Sequence, residues 1–356
     1  MIKARKCVRE MKEYHSPLSG AAIDLRLDMN ESTTGCSPRV LAKIHSLDAK
    51  LLALYPRREP AEKLAAAFVG VKPEELMLTN GADEGIDVLC RAYLDPEDEL
   101  IIIVPAFAMY EVFAQITGAR TVRIPCGPNF SFPFDKVLQA ITPRTRMIVI
   151  TNPNNPTGLA VKRSEILQVI AAAPDAAVLL DEAYFDFYGE TLMDQIGGIP
   201  NLFVARTFSK AYGLAGIRLG VLAGAADQMA VLRRIAPPFN VNAFAIECLK
   251  EALDDRQFVA DYVKQVRASR DWLLKKLEQM GFECWPSHTN FLLVNFGELR
   301  EAILNGMRAR RIGLRNRPDC EGCVRISIGT KQEMERVVSA LGEIMTETTA
   351  AQEIAK

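Results

Sequence analysis

Four short apolar runs in this chain are each followed by residues able to do chemistry. Met147 to Ile150 leads into Thr151-Asn152-Pro153-Asn154-Asn155-Pro156-Thr157-Gly158. Ala177 to Leu180 leads into Asp181-Glu182-Ala183-Tyr184. Asn201 to Ala205 leads into Arg206-Thr207-Phe208-Ser209-Lys210, and Leu100 to Val104 into Pro105-Ala106-Phe107. One polar residue after a strand is ordinarily a turn or a cap. An amide, a carboxylate with a phenol, a lysine with hydroxyls and an aromatic ring together form a complementary set. A pyridoxal phosphate site needs such a set. It needs a lysine amine to form a Schiff base with an aldehyde. It also needs a carboxylate to hold the pyridine nitrogen protonated, donors at the ring hydroxyl, an aromatic face, and a phosphate cradle. Lys210, Asp181, Asn155 with Tyr184, and Phe107 fit these roles in turn. Thr79-Asn80-Gly81-Ala82-Asp83-Glu84 opens a predicted helix, where free N–H groups and the helix dipole favour an anion. Thr207, Ser209 and Arg218 add hydroxyl donors and a positive charge.

The elements that would position these residues read as α/β. Apolar runs at Leu100 to Val104, Ala119 to Ile124, Met147 to Ile150, Ala177 to Leu180, Asn201 to Ala205 and Leu219 to Ala223 suit strands buried on both faces. Amphipathic stretches between them (Ala61 to Val69, Asp83 to Tyr93, Lys162 to Ala173, Ala226 to Arg234) predict helices. In open α/β sheets, ligands sit beyond the carboxyl ends of the strands, which is where the chemistry gathers. The pattern changes after about residue 240. Asn242 to Met280 predicts two helices broken near Asp254 and Asp255. Strands follow at Asn290 to Asn295, Ile312 to Arg315 and Val324 to Ile328, with a helix over Leu299 to Arg310 and a closing helix from Lys331. Thr346 to Lys356 reads as a fraying tail.

Composition narrows the function classes. Among 356 residues, Lys plus Arg number 43 and Asp plus Glu 44, so no basic excess favours nucleic acid. No apolar run approaches the ~20 residues of a membrane span. The N-terminus lacks the apolar core of a secretory signal, which makes a cytoplasmic protein the expectation. Eight scattered cysteines fit reduced thiols. Cys320 and Cys323 form one Cys-x-x-Cys with no second ligand pair, so they read as an incidental loop pair rather than a zinc site. Three histidines without His-Glu-x-x-His argue against a histidine-based metal hydrolase. No Gly-x-Gly-x-x-Gly follows the first strand, which argues against a dinucleotide-binding dehydrogenase.

Three segments resemble the hallmarks of fold-type I, class I and II aminotransferases, and most of all the histidinol-phosphate aminotransferases. They are Asn152 to Gly158, Asp181 to Tyr184 and Arg206 to Gly220, in family order and spacing. The resemblance runs from about Asn30 to Gly329. It implies the pyridoxal phosphate-dependent transferase fold: a large domain with a mostly parallel seven-stranded sheet, plus a smaller α+β domain. The expected division is an N-terminal segment 1–45, a large cofactor domain 46–245, a small domain 246–346 and a tail 347–356. Lys210 would carry the cofactor and shuttle the proton, and Asp181 would pair with the pyridinium. Asn155 and Tyr184 would touch the ring hydroxyl and Phe107, often Tyr in the subfamily, would stack. Ala82, Asp83, Thr207, Ser209 and Arg218 would hold the phosphate. Tyr55 would reach the cofactor phosphate of a second subunit, implying a homodimer with shared sites. Arg325, Asn30, Arg315 and Tyr14 would contact substrate, although Arg308, Arg310, Arg311 and Arg317 also fit a solvated basic stretch around Arg315. The implied reaction is ping-pong transamination between histidinol phosphate, or a similar amine, and 2-oxoglutarate. An aromatic or broad-range aminotransferase and a threonine-phosphate decarboxylase-like enzyme remain as alternatives. A non-catalytic binding module lacks a visible DNA-binding extension.

Overall fold

The computed structural model describes residues 2–11 and 22–354. Among these, the strands in chain order are β1 (Leu25–Leu27), β2 (Leu76–Thr79), β3 (Glu99–Val104), β4 (Arg120–Pro125), β5 (Thr145–Thr151) and β6 (Ala177–Asp181). Then come β7 (Leu202–Thr207), β8 (Gly220–Gly224), β9 (Glu283–Cys284), β10 (Phe291–Asn295), β11 (Ile312–Asn316) and β12 (Cys323–Ser327). A seven-stranded sheet runs β2-β8-β7-β6-β5-β3-β4. Strands β3 to β7 pair in parallel, and β8 alone is reversed between β7 and β2. The fold is therefore α/β with a mostly parallel seven-stranded sheet.

Its central strands are buried along their whole length, as in the Ala-Val-Leu-Leu-Asp of β6, because helices cover both faces. Ile86, Leu89, Tyr110 and Ala114 pack one face from the helices Gly81–Tyr93 and Met109–Thr117. Val137, Ile166 and Ile170 pack the other from Phe134–Ala140 and Arg163–Ala172. The strand β2 was not among the apolar runs noted above. Four residues, Leu-Met-Leu-Thr, are too short for a periodic signal, and burial against β8 is what makes them a strand.

The second sheet runs β1-β11-β12-β10-β9, with β1 parallel to β11 and the remaining pairs antiparallel. Helices Arg256–Gln279, Arg300–Ala309 and Lys331–Ile354 cover it through Leu273, Leu277, Ile303, Met307, Val337 and Leu341. The break after Asp254 falls where it was expected: Asp255 caps the longer helix by accepting from the Phe258 N–H. The expected fraying tail is corrected. The closing helix continues through Thr346 to Ile354, held in part by Arg310, which bonds Glu347 at 2.6 Å and Glu343 at 3.0 Å. Among the described residues, no helix is long and apolar enough to cross a membrane.

The two sheets meet around the carboxyl ends of β3, β5, β6 and β7. The loop after β1 threads between them. Asn30 takes the left-handed conformation there (φ 54°), its N–H bonding Ser327 Oγ at 2.9 Å and its carbonyl accepting from Asn290 at 3.0 Å.

Candidate active site

A cavity of about 560 Å³ opens where the sheets meet. Ala82, Asp83, Phe107, Asn155, Asp181, Tyr184, Thr207, Ser209, Lys210, Arg218, Asn30, Arg315 and Arg325, all singled out in the sequence, line it. Tyr55 does not. Its side chain is 77% exposed and stacks on Phe239 with ring centroids 4.3 Å apart. Tyr14 lies outside the described residues.

Lys210 follows β7, and its Nζ donates to the Met29 carbonyl at 3.1 Å. Burial pulls its pKa down from 10.5 to about 8, and the nearby Arg325 guanidinium pushes the same way. A lysine near pH 8 is partly neutral at physiological pH, so its nitrogen can act as nucleophile and base.

Asp181 ends β6, buried. Its Oδ1 accepts the Ala183 N–H at 3.0 Å and its Oδ2 accepts the Tyr110 hydroxyl at 2.6 Å. Burial nonetheless raises its pKa to about 6. The neighbouring Glu182 turns away from the cavity and pairs with Arg206 at 2.9 Å, also receiving the Thr191 hydroxyl. It does not line the cavity.

Arg325, on β12, is 5% exposed. It donates to Asn155 Oδ1 at 2.6 Å and to the Asp28 carbonyl at 2.5 Å. Taking up the Asn155 oxygen in this way leaves that amide nitrogen as the donor end. Desolvation and the adjacent Arg317 and Arg315 lower the Arg325 pKa to about 10. Its Nε is buried without a hydrogen-bond acceptor, so the guanidinium retains donor capacity. Tyr184 accepts from Asn30 Nδ2 at 2.8 Å, and its ring stands edge-on to Phe291.

A second cationic end lies where β8 and the helix Gly81–Tyr93 begin. The Gly81 N–H bonds the Arg218 carbonyl, and the Arg218 side chain reaches Asp83 at 3.1 Å. Gly81 has φ +74°, and a Cβ there would collide with the Arg218 guanidinium. A Cβ on Gly220 would lie 2.8 Å from the Ala82 nitrogen. Both glycines thus keep backbone N–H groups and a guanidinium close together around open space, as an anion cradle requires. The Thr207 and Ser209 hydroxyls, 2.9 Å apart, complete its wall. A phosphate fits this donor set, and a pyridinium nitrogen fits the Asp181 carboxylate.

Tyr110 and Arg317 also line the cavity, and neither was assigned a role from the sequence. Tyr110 lies on the helix Met109–Thr117, a stretch not singled out in the sequence, and only the fold brings it to Asp181. Arg317 reads as part of a basic stretch. It is nearly buried, bonded to Asp319 at 2.9 Å and to the Ala106 carbonyl at 3.2 Å. That last bond ties the loop after β11 to the loop carrying Phe107. By contrast Arg310 and Arg311 do form surface ion pairs, with Glu343 and Asp24. Cys320 and Cys323 are buried thiols beside Leu293, Phe130 and Trp285, with pKa values pushed up to about 12 and about 11 by burial.

Comparison with known proteins agrees with this geometry. The family described as aminotransferase class I and II matches residues 22–341. A histidinol-phosphate aminotransferase of Clostridium novyi is 30% identical, with 95% of this chain and 96% of that protein covered. One of Bacillus subtilis is 33% identical, covering 97% of this chain and all of that protein. The crystal structure of histidinol-phosphate aminotransferase from Sinorhizobium meliloti with pyridoxal-5'-phosphate superposes with a TM-score of 0.90 over 98% of this chain and 99% of that one, at 22% identity.

The lowered Lys210 pKa is open to direct measurement. In cofactor-free protein, its labelling by an amine-directed reagent should titrate with a midpoint near pH 8. Arg325→Leu removes a neighbouring cation and should move that midpoint upward. A midpoint at the ordinary lysine value of about 10.4 would contradict the buried environment.

Proposed function

The chain belongs to the class I and II aminotransferases, enzymes that depend on pyridoxal phosphate, and we propose that it transfers the amino group of histidinol phosphate to 2-oxoglutarate. The observation that carries this substrate is a cavity with two cationic ends. One, at Arg218 and the start of the helix Gly81–Tyr93, suits the cofactor's phosphate. The other is built by Arg315 and Arg325 on β11 and β12, with Arg317 paired to Asp319 beside them, and suits a phosphate carried by the substrate. A dicarboxylate acceptor would use the same arginines in the second half of a ping-pong cycle. The full-length likeness to histidinol-phosphate aminotransferases supports the same choice.

When bound, pyridoxal phosphate supplies an electron sink for negative charge at the substrate carbon that loses its proton. In our reading, Lys210 Nζ holds the cofactor and then takes and returns that proton. Asp181 keeps the pyridine nitrogen protonated. Asn155 and Tyr184 donate toward the ring hydroxyl, with Asn30 fixing the Tyr184 phenol, and Phe107 covers one ring face. The N–H groups of Ala82 and Asp83, the hydroxyls of Thr207 and Ser209, and Arg218 grip the phosphate. Arg325 orients the polar end of the substrate and Arg315 its phosphate, a contact that Tyr14 would share.

We also propose that two copies of the chain assemble, in the cytoplasm, with Tyr55 reaching the other copy's cofactor phosphate. The exposed Leu52, Leu54, Tyr55, Phe239 and Phe244 support this as a face to be covered. Sedimentation should give twice the chain mass; a monomer at assay concentration contradicts it.

Incubation with L-histidinol phosphate and 2-oxoglutarate should yield glutamate. Arg315→Ala should raise KM for histidinol phosphate about tenfold or more, while KM for an aromatic amino acid changes by less than about threefold. Equal effects would remove Arg315 from the phosphate role. Turnover of aromatic amino acids alone, or release of carbon dioxide from a phosphorylated amino acid, would overturn the substrate.

A further inference from the structure

The turn and helix after β3 carry two aromatic residues at i and i+3, Phe107 and Tyr110. Their rings meet edge to face with centroids 5.7 Å apart. Phe107 faces the cavity with a ring that has no hydroxyl. Tyr110 is 1% exposed, yet it brings a phenol to the buried end of the same cavity. Its Oη lies 2.6 Å from Asp181 Oδ2 and 2.8 Å from Thr151 Oγ1. The directions of these bonds follow from proton counting. An ionised carboxylate only accepts, so Tyr110 donates its single proton to Asp181. Thr151 then donates its hydroxyl to Tyr110 Oη. The chain Thr151 to Tyr110 to Asp181 links β5, the helix Met109–Thr117 and β6.

We propose that Tyr110 is a positioning residue for Asp181: its phenol, itself supported by Thr151, holds the carboxylate ionised and aimed at the pyridine nitrogen of the cofactor. This rests on the reading of Asp181 given above. The need for such a donor is physical. Asp181 is buried, and no cation bonds it. The charged groups that act on it, Asp83 from the helix Gly81–Tyr93 and the adjoining Glu182, both disfavour its charge. Glu182 is largely occupied by Arg206. Tyr184, on the following turn, is a neutral phenol bonded to Asn30. The two donors that favour the ionised form are therefore the Ala183 N–H and the Tyr110 hydroxyl. The hydroxyl makes the shorter bond, in the range of charge-assisted hydrogen bonds. Tyr110 has no other evident use for a buried hydroxyl: a phenylalanine would pack equally well against Phe107 and Ala114.

The experiment is Tyr110→Phe, which keeps the ring and removes the bond. In cofactor-free protein labelled with 13C at aspartate carboxyls, the Asp181 resonance is identified by its loss in Asp181→Asn. It should titrate near pH 6 in the parent and about one pH unit higher in Tyr110→Phe. The dissociation constant of pyridoxal phosphate at pH 7 should rise about tenfold, while kcat falls and KM for the amino donor stays within about twofold. Thr151→Val, which leaves the phenol in place but strips its donor, should move the same quantities in the same direction by less. An unchanged Asp181 titration with parental cofactor affinity in Tyr110→Phe would overturn the role of Tyr110 alone. A parent protein that binds no pyridoxal phosphate would overturn the functional reading beneath it.

Discussion

A guanidinium taken out of water must find acceptors, and Arg325 finds them on the far side of the cavity. It rises from β12 of the second sheet, bonds Asn155 after β5 of the first, and bonds the Asp28 carbonyl after β1. Three chain segments distant in sequence are thereby held at one point. The cost of desolvating a cation is met only while those acceptors stay in place. Arg325 consequently defines the relation between the sheets at the site. Asn30 reinforces it one residue pair away, through Ser327 and Asn290. The same guanidinium sits close enough to Lys210 to disfavour a second positive charge there.

The cavity is held in a state of electrostatic tension. Its amine is pulled down to about 8 and its central carboxyl pushed up to about 6, in both cases mainly by burial. Each group is thus nearer neutrality than its type prefers in water. A pyridinium beside Asp181 and a phosphate beside Arg218 would relieve that tension by supplying the missing opposite charges. Surface ion pairs such as Arg163 with Asp194 have no comparable influence, because water already solvates them.

Much of this was legible in the sequence, for a reason rooted in sheet geometry. In parallel strands the side chains that meet a ligand follow the carboxyl ends, so the cavity-lining Asn155, Asp181, Lys210 and Phe107 could be read directly after apolar runs. What was not legible depends on contacts between elements. The helix Met109–Thr117 was not among the stretches read from the sequence, and nothing local says that the Tyr110 hydroxyl meets Asp181. Arg317 looks like its solvated neighbours until the loop after β11 folds against the Ala106 carbonyl. Strand β2 is too short to announce itself. The closing helix extends past Thr346, where Arg310, just past the end of the helix Arg300–Ala309, bonds Glu347. Tyr55 is an exposed ring on Phe239, and the role expected of it would need a second chain.

Among all the lysines, Lys210 is the one we propose to bond the cofactor. Borohydride reduction of protein loaded with pyridoxal phosphate, followed by peptide mass spectrometry, tests it most directly. A single phosphopyridoxyl label on the peptide containing Lys210 is expected. A label on another lysine, or protein that loads no cofactor, would contradict the assignment and the site built around it.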